Sequence, residues 1–237
     1  MEIFYAPNLK QHPQLPEEEA YHCIRVLRHQ AGDRLRITDG LGTFYDAELL
    51  LADPKHCTLA ILQEYVQPVK KPSLHLAVAL TKQTERWEWM LEKITELGVA
   101  GITPLLSQRT ERKRIHPERL QKIMIAAMKQ SQQCWLPVLH PLCSFTDFIH
   151  QQEGQPLYLA QVDPANRLNL REAYSGGQPA VMMIGPEGDF TPEEVTLATA
   201  FRAKRISLGE TVLRTETAAI AACAQLVFMN LKNAAGA

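Results

Sequence analysis

The sequence predicts an α/β protein in two parts, and three observations carry that reading. The first 70 or so residues alternate apolar and polar side chains, as half-buried strands do. From residue 74 on, short apolar runs alternate with segments of helical spacing, the pattern of a mostly parallel sheet covered by helices. Between them "QPVKKP" (67–72) brackets two lysines with prolines and reads as a linker, dividing the chain into residues 1–70 and 71–237.

In the N-terminal part, Leu35 and Ile37 alternate with Arg34, Arg36 and Thr38, glycine turns follow at 40 and 42, and a second extended run comes after. "HCTLAILQEYV" (56–66) is another strand candidate. One helix is expected over Glu17–Arg28, with Pro16 near its start and Gly32 beyond its end. Small β-barrels have this character. In the C-terminal part, 74–80 is a buried strand candidate. Trp87, Met90, Leu91, Ile94 and Leu97 then share a helix face that stops at Gly98. "ITPLL" is a short strand. Leu120, Ile123, Met124, Ala127 and Met128 line a helix with Pro117 in its first turn. Strands are expected at 157–161, 180–184 and 205–208, and helices near 192–202 and 216–231.

Composition narrows the function. Apolar residues make up 46% of the chain, which excludes wholesale disorder, and a formal net charge of -1 confines any nucleic-acid site to a local patch. Five scattered cysteines without a CxxC pair argue against disulfides and zinc and suit a reducing cytoplasm. No His pairing of metal-site spacing occurs, so no metal is expected. The N-terminus has no signal-peptide pattern, and the run Ala218–Met229 is too short to span a bilayer.

Two loops stand out. In "MIGPEGDFTPEEV" (183–195), Thr191 suits an N-cap, Pro192 the first helical position and Glu194 a capping box, with Phe190 and Val195 at staple positions. Helix initiation explains "FTPEEV" but not "IGPEG". Glu187 would repel a phosphate, and neither GxGxxG nor the P-loop pattern occurs, so a ligand here should be neutral or cationic. In "ISLGETVLRTETAAIAA" (206–222) a strand ends at Leu208-Gly209, Thr215 or Thr217 caps an alanine-rich helix, and Glu216 sits in its first turn. Two successive strand-end loops of this kind suit opposite walls of one pocket.

These residues, with "HCIRVLRHQAGDRLRITDGLG", "KQTERWEWMLEKITELGVAGITPL" and "PERLQKIMIAAMKQSQQCWLP", resemble the RsmE family of 16S ribosomal RNA (uracil-N3)-methyltransferases, in the SPOUT superfamily. The likeness covers nearly the whole chain. It implies a PUA-like β-barrel at the N-terminus and a trefoil-knotted α/β catalytic domain. It also implies a homodimer, S-adenosyl-L-methionine as methyl donor, and 16S rRNA of the small ribosomal subunit as substrate. Carried over by motif, the cofactor positions are Ile184, Gly185, Glu187, Gly188, Leu208, Gly209, Leu213, Arg214, Thr215 and Thr217, with Leu159 and Ala160 at the preceding strand end. The sequence departs from the family pattern at Asp189, where a glycine is usual, and at Ala126, Lys129, Gln132 and Gln133; the arginine usual near the first strand is missing from "MEIFYA".

Residues 108–122 hold six Lys/Arg against two Glu, a local excess suited to phosphates; Arg109, Arg112, Lys113 and Arg114 are the RNA candidates there. In the N-terminal part the candidates are His22 and Arg25, which share a helical face with His29, and Arg28 beside them. For the chemistry, Arg214 is the candidate to stabilise the developing oxygen charge and Glu216 the candidate general base. The rivals are another SPOUT methyltransferase acting on tRNA or a ribose hydroxyl, a non-enzymatic RNA-binding scaffold, and a Rossmann-type enzyme. The last is disfavoured because the glycine loops come late in the chain.

Overall fold

The computed structural model describes residues 2–69, 72–152, 154–162 and 168–234, so Lys70 and Lys71 of the expected linker lie outside the described residues. Contacts divide the chain into two units, Met1–Val69 with Ile125–Leu136, and Lys70–Met124 with Pro137–Ala237. Among the described residues no helix is long and apolar enough to cross a membrane.

The first unit is a four-stranded sheet in the order β1 (Ile3–Tyr5), β2 (Arg34–Thr38), β3 (Thr43–Leu51), β4 (Thr58–Val66), with β1 parallel to β2 and the rest antiparallel. The alternation sends Leu35 and Ile37 inward beside Phe4, Leu15, Leu49 and Leu59. Burying side chains of this kind stabilises by about 1.5–3 kcal/mol each. The expected helix Glu17–Arg28 is shorter and of two kinds: α1 (Glu17–Tyr21) runs into a π-helical turn, His22–Val26. Arg28 lies beyond it with φ +61°, and His29 is bonded to Asp33 at 2.9 Å. The wider π turn removes the expected common face of His22, Arg25 and His29, since that face rests on 3.6-residue spacing.

Within the same unit, Gly42 has φ +103°, and a Cβ there would run into the Trp135 ring. Lys129, one of the departures from the family pattern, reaches both carboxylate oxygens of Glu19 at 2.6 and 2.9 Å, largely buried, with the Phe4 ring 6.0 Å from its ammonium.

The second unit carries β5 (Leu74–Ala79), α2 (Thr84–Glu96) and β6 (Gly101–Leu106), then α3 (Pro117–Gln130), whose last residues belong to the first unit. There follow β7 (Val138–Leu139), β8 (Cys143–Ser144), α4 (Phe145–His150), β9 (Leu157–Ala160) and α5 (Leu170–Ala173). The chain ends with β10 (Ala180–Ile184), α6 (Pro192–Ala200), β11 (Lys204–Ile206) and α7 (Thr215–Ala234). The sheet is parallel throughout, in the order β11-β9-β10-β5-β6-β7, with β8 also on β6. Its strands are near-continuous apolar runs because helices cover it. Pro104 sits inside β6 without loss: β7 pairs with 101–102 and β8 with 105–106, so the missing N–H falls between the two partners. Trp87, Met90, Leu91 and Ile94 of α2 are fully buried, as their spacing predicts.

Candidate functional site

Because all strands of the second sheet run one way, their carbonyl ends and the loops that leave them share one edge, the usual place for a ligand. Gly185–Asp189 follows β10 at the middle of that edge. The turn is tied to four other segments. The Thr215 hydroxyl donates to the Gly185 carbonyl at 2.9 Å, buried. The Lys82 N–H donates to Glu187 Oε1 at 3.1 Å, and the Arg109 guanidinium donates to the Gly188 carbonyl. The Val162 N–H donates to Asp189 Oδ2 at 3.3 Å, while Asp189 Oδ1 takes the Phe190 N–H at 2.7 Å.

Glycine suits 185, because a Cβ would press on Asp189 Oδ1 and the Phe190 N at 3.2 Å. Asp189 itself adopts φ +61°, a left-handed conformation that aspartate tolerates better than most residues. The two hydrogen bonds of its carboxylate help hold it there.

The helix start reads as the sequence predicts. Thr191 caps α6 and forms a full capping box with Glu194, with Phe190 and Val195 packed in one cluster. Glu194 does more than cap. One carboxylate oxygen accepts from the Thr191 N–H at 2.9 Å, and the other accepts from the Gln108 N–H at 2.8 Å, tying α6 to the loop after β6.

In the second loop the expectation of a threonine cap is corrected. Helix α7 begins at Thr215, and Arg214 holds the position before it, its carbonyl accepting from the Ala218 N–H at 2.8 Å. Thr215 lies inside the first turn because its hydroxyl is drawn to Gly185, and Thr217 lies a further two residues in. Ala219 and Ala222 are fully buried, small enough for close packing of α7.

A cavity of about 550 Å³ opens between Glu85, Arg86 and Trp89 of α2 and the segment 212–217. Leu213, Arg214, Glu216 and Thr217 line it, whereas Leu159, Ala160, Ile184 and Gly185 are buried at the strand ends and Glu187 and Gly188 face solvent beside them. Leu208 is half-buried, its carbonyl accepting from Gln225 at 3.3 Å, and Gly209 is exposed. The Thr215–Gly185 bond joins the two groups. Glu216 is only 6% exposed; its Oε1 is 3.7 Å from Arg86 Nη1, and its Oε2 has no hydrogen-bond partner among the described residues. Sequence reasoning missed Arg86 and Trp89. The available signal was the place of Trp89 on α2 opposite the apolar stripe and of Arg86 at the stripe's edge.

The basic segment is partly committed to the protein itself. Arg109 holds Gly188, and Arg112 donates to Thr81 O at 3.1 Å and to Thr84 Oγ1 and Arg114 O at 3.3 Å. Arg119 pairs with Glu88 at 2.7 Å, while Lys113 and Arg114 are exposed. In the first unit, His22 contacts Glu2 at 2.9 Å, and Arg25 and Arg28 are exposed.

Residues 69–227 match the RNA methyltransferase domain family, and residues 15–62 match the RNA methyltransferase PUA domain family. A ribosomal RNA small subunit methyltransferase E of Synechocystis sp. is 35% identical over 90% of this chain and 71% of its own length. Among solved structures, a probable rRNA-methyltransferase from Porphyromonas gingivalis is similar with a TM-score of 0.92 and 41% identity, covering 98% of this chain and 100% of that one. The ribosomal RNA small subunit methyltransferase E of Neisseria gonorrhoeae, bound to S-adenosyl methionine, gives a TM-score of 0.84 at 26% identity, covering 97% and 98%.

Proposed function

The chain belongs to the ribosomal RNA small subunit methyltransferase E family of RNA methyltransferases, and from that premise we propose that it methylates N3 of a uridine in 16S rRNA. The methyl donor is S-adenosyl-L-methionine. Residues 1–70 act as a PUA-like β-barrel that binds RNA, and residues 71–237 as a knotted SPOUT catalytic domain. The protein works as a homodimer in the cytoplasm, a reading supported by the exposed apolar Phe228 and Leu231 on α7 and by five free cysteines. The strand order, with β10 between β9 and β5, and the tie between Gly185 and the start of α7 support a knot.

The observation that carries the reading is the Gly185–Asp189 turn. It is fixed by four neighbouring segments, leaves little room for a Cβ at Gly185, and bears a carboxylate where a phosphate site would bear a cation. This fits S-adenosylmethionine, which has a sulfonium and an adenine and no phosphate. Leu159, Ala160, Ile184, Leu208 and Leu213 would offer apolar surface, and Gly185, Gly188, Gly209, Thr215 and Thr217 close approach and polar groups. The bound donor supplies an electrophilic methyl group. The chain's own residues prepare the acceptor. Glu216, buried beside Arg86, takes the N3 proton, and Arg214 stabilises the charge that builds on the uracil oxygen. Lys113, Arg114, Arg25 and Arg28 are the exposed cations available for phosphate, with His22 near the last pair in sequence; Arg109 and Arg112 act by holding the loops.

The test is to incubate the protein with donor and small subunits lacking the modification, then digest the RNA to nucleosides. Methyl on uridine N3 is expected. Methyl on a ribose hydroxyl, on tRNA alone, or on no RNA overturns the reading.

A further inference from the structure

We propose that the cavity between α2 and residues 212–217 is the seat of the flipped-out target base, read as uracil by Arg86, Glu216 and Arg214 and stacked on Trp89. This rests on the methyltransferase reading above and adds to it the residues that choose the base.

The starting point is Glu216. Its side chain is 8% exposed, its Oε1 lies 3.7 Å from Arg86 Nη1, beyond hydrogen-bond range, and its Oε2 has no partner among the described residues. A buried carboxylate oxygen without a donor is costly and calls for one. The oxygen itself is enclosed, but the residue that carries it lines the cavity, so a turn of the carboxylate about its last torsion brings an acceptor to a donor carried in by a ligand.

The flanking groups say which donor. Arg86 and Arg214 line the same cavity, and an arginine only donates. The cavity lining therefore combines two donors with one acceptor, the set a pairing edge with two acceptors and one donor would match. Uracil presents O4, N3–H and O2, which is acceptor, donor, acceptor, the complement. Cytosine presents an N3 lone pair where Glu216 needs a proton and an amino group where an arginine needs an acceptor. The same contacts that admit uracil thus repel cytosine.

The stacking face comes from Trp89. It is 49% exposed on α2 at the cavity wall, while Trp87 beside it is fully buried in the core. An exposed indole in a cavity of about 550 Å³ is a surface for a planar ring, and the volume falls in the range of small-molecule sites, about 300–1,000 Å³. Enzymes that react with a base in RNA or DNA take it out of its stack and read it by its pairing edge and by stacking.

Trp89 is about half exposed, so Trp89→Ala should keep the wild-type melting temperature, whereas Arg86→Gln removes the cation beside buried Glu216 and should lower it, so both variants are assayed well below their transitions. For each, KM for the small subunit is expected to rise about tenfold, the size of one lost stacking or edge contact. Affinity for S-adenosylmethionine by calorimetry is expected to stay within about twofold. Independently of methyl transfer, uridine 5′-monophosphate is expected to quench the Trp89 fluorescence, obtained as the difference between wild type and Trp89→Phe, and cytidine 5′-monophosphate is not. Unchanged KM in both variants, equal quenching by both nucleotides, or a tenfold loss of cofactor affinity overturns the proposal, the last because the cavity would then hold the cofactor. If wild type methylates no RNA while uridine 5′-monophosphate alone quenches Trp89, the functional reading fails and the base site stands.

Discussion

Acidification should destabilise this protein through one half-buried histidine. His75 on β5 stacks on His140 with ring centroids 4.8 Å apart, meets Phe148 edge-on, and shares a 2.7 Å hydrogen bond with Thr103. Burial, with His140 adding to it, lowers its pKa from 6.5 to about 4. The neutral imidazole is therefore favoured by folding, and the unfolded chain binds the proton more tightly. The stabilisation is fully present above about pH 6.5 and is lost as pH falls toward 4. A shift of this size corresponds to about 3 kcal/mol in full, of which about 2 kcal/mol is gone by pH 5. That is a large fraction of a typical folding free energy. Urea unfolding at pH 7.5 and 5.0, in wild type and His75→Gln, isolates it. The substituted glutamine retains a partner for Thr103 and cannot titrate, and all carboxylate effects are common to both proteins. Wild type should lose about 2 kcal/mol more than the variant between the two pH values. An equal loss in both would refute the argument.

Other perturbations probe the remaining ties. Thr215→Val removes the hydroxyl that serves the buried Gly185 carbonyl; stability should fall by about 1–3 kcal/mol and cofactor affinity about tenfold, read by thermal melting and calorimetry. Lys129→Met leaves the Glu19 carboxylate buried without its cation and should cost about 3 kcal/mol in chemical unfolding, much of it recovered by adding Glu19→Gln. Asp189→Ala places a Cβ residue in a left-handed turn without its carboxylate bonds and should lower the melting temperature more than Asp189→Asn, since asparagine tolerates that conformation.

What was legible in the sequence was what is local. The cap and staple of α6, the buried stripe of α2 and the limits of β10 depend on neighbours within about four residues, and periodicity reports those. Asp189 reads in the sequence only as a residue where the family has glycine, and its left-handed backbone comes from the structure. Roles that depend on distant partners were not legible. Thr215 reads as a cap because threonine at a helix start usually is one; its actual partner, Gly185, is 30 residues away. Lys129 reads as a departure from a pattern until Glu19, 110 residues away, supplies the reason for a cation. Helical spacing says that Trp89 faces away from the stripe and Arg86 flanks it, but only tertiary packing puts residues 212–217 opposite them. The π-helical turn at His22–Val26 and the two-residue strands β7 and β8 have no periodic signal long enough to read.

On the proposed function, the Gly185–Asp189 turn and residues 208–217 together hold the methyl donor. A crystal structure of the protein soaked with S-adenosylmethionine shows whether they do. The donor is expected against Gly185, Leu208 and Leu213, at the carbonyl edge of β9, β10 and β11. Donor density elsewhere on the sheet, or a bound donor touching neither segment, would contradict it.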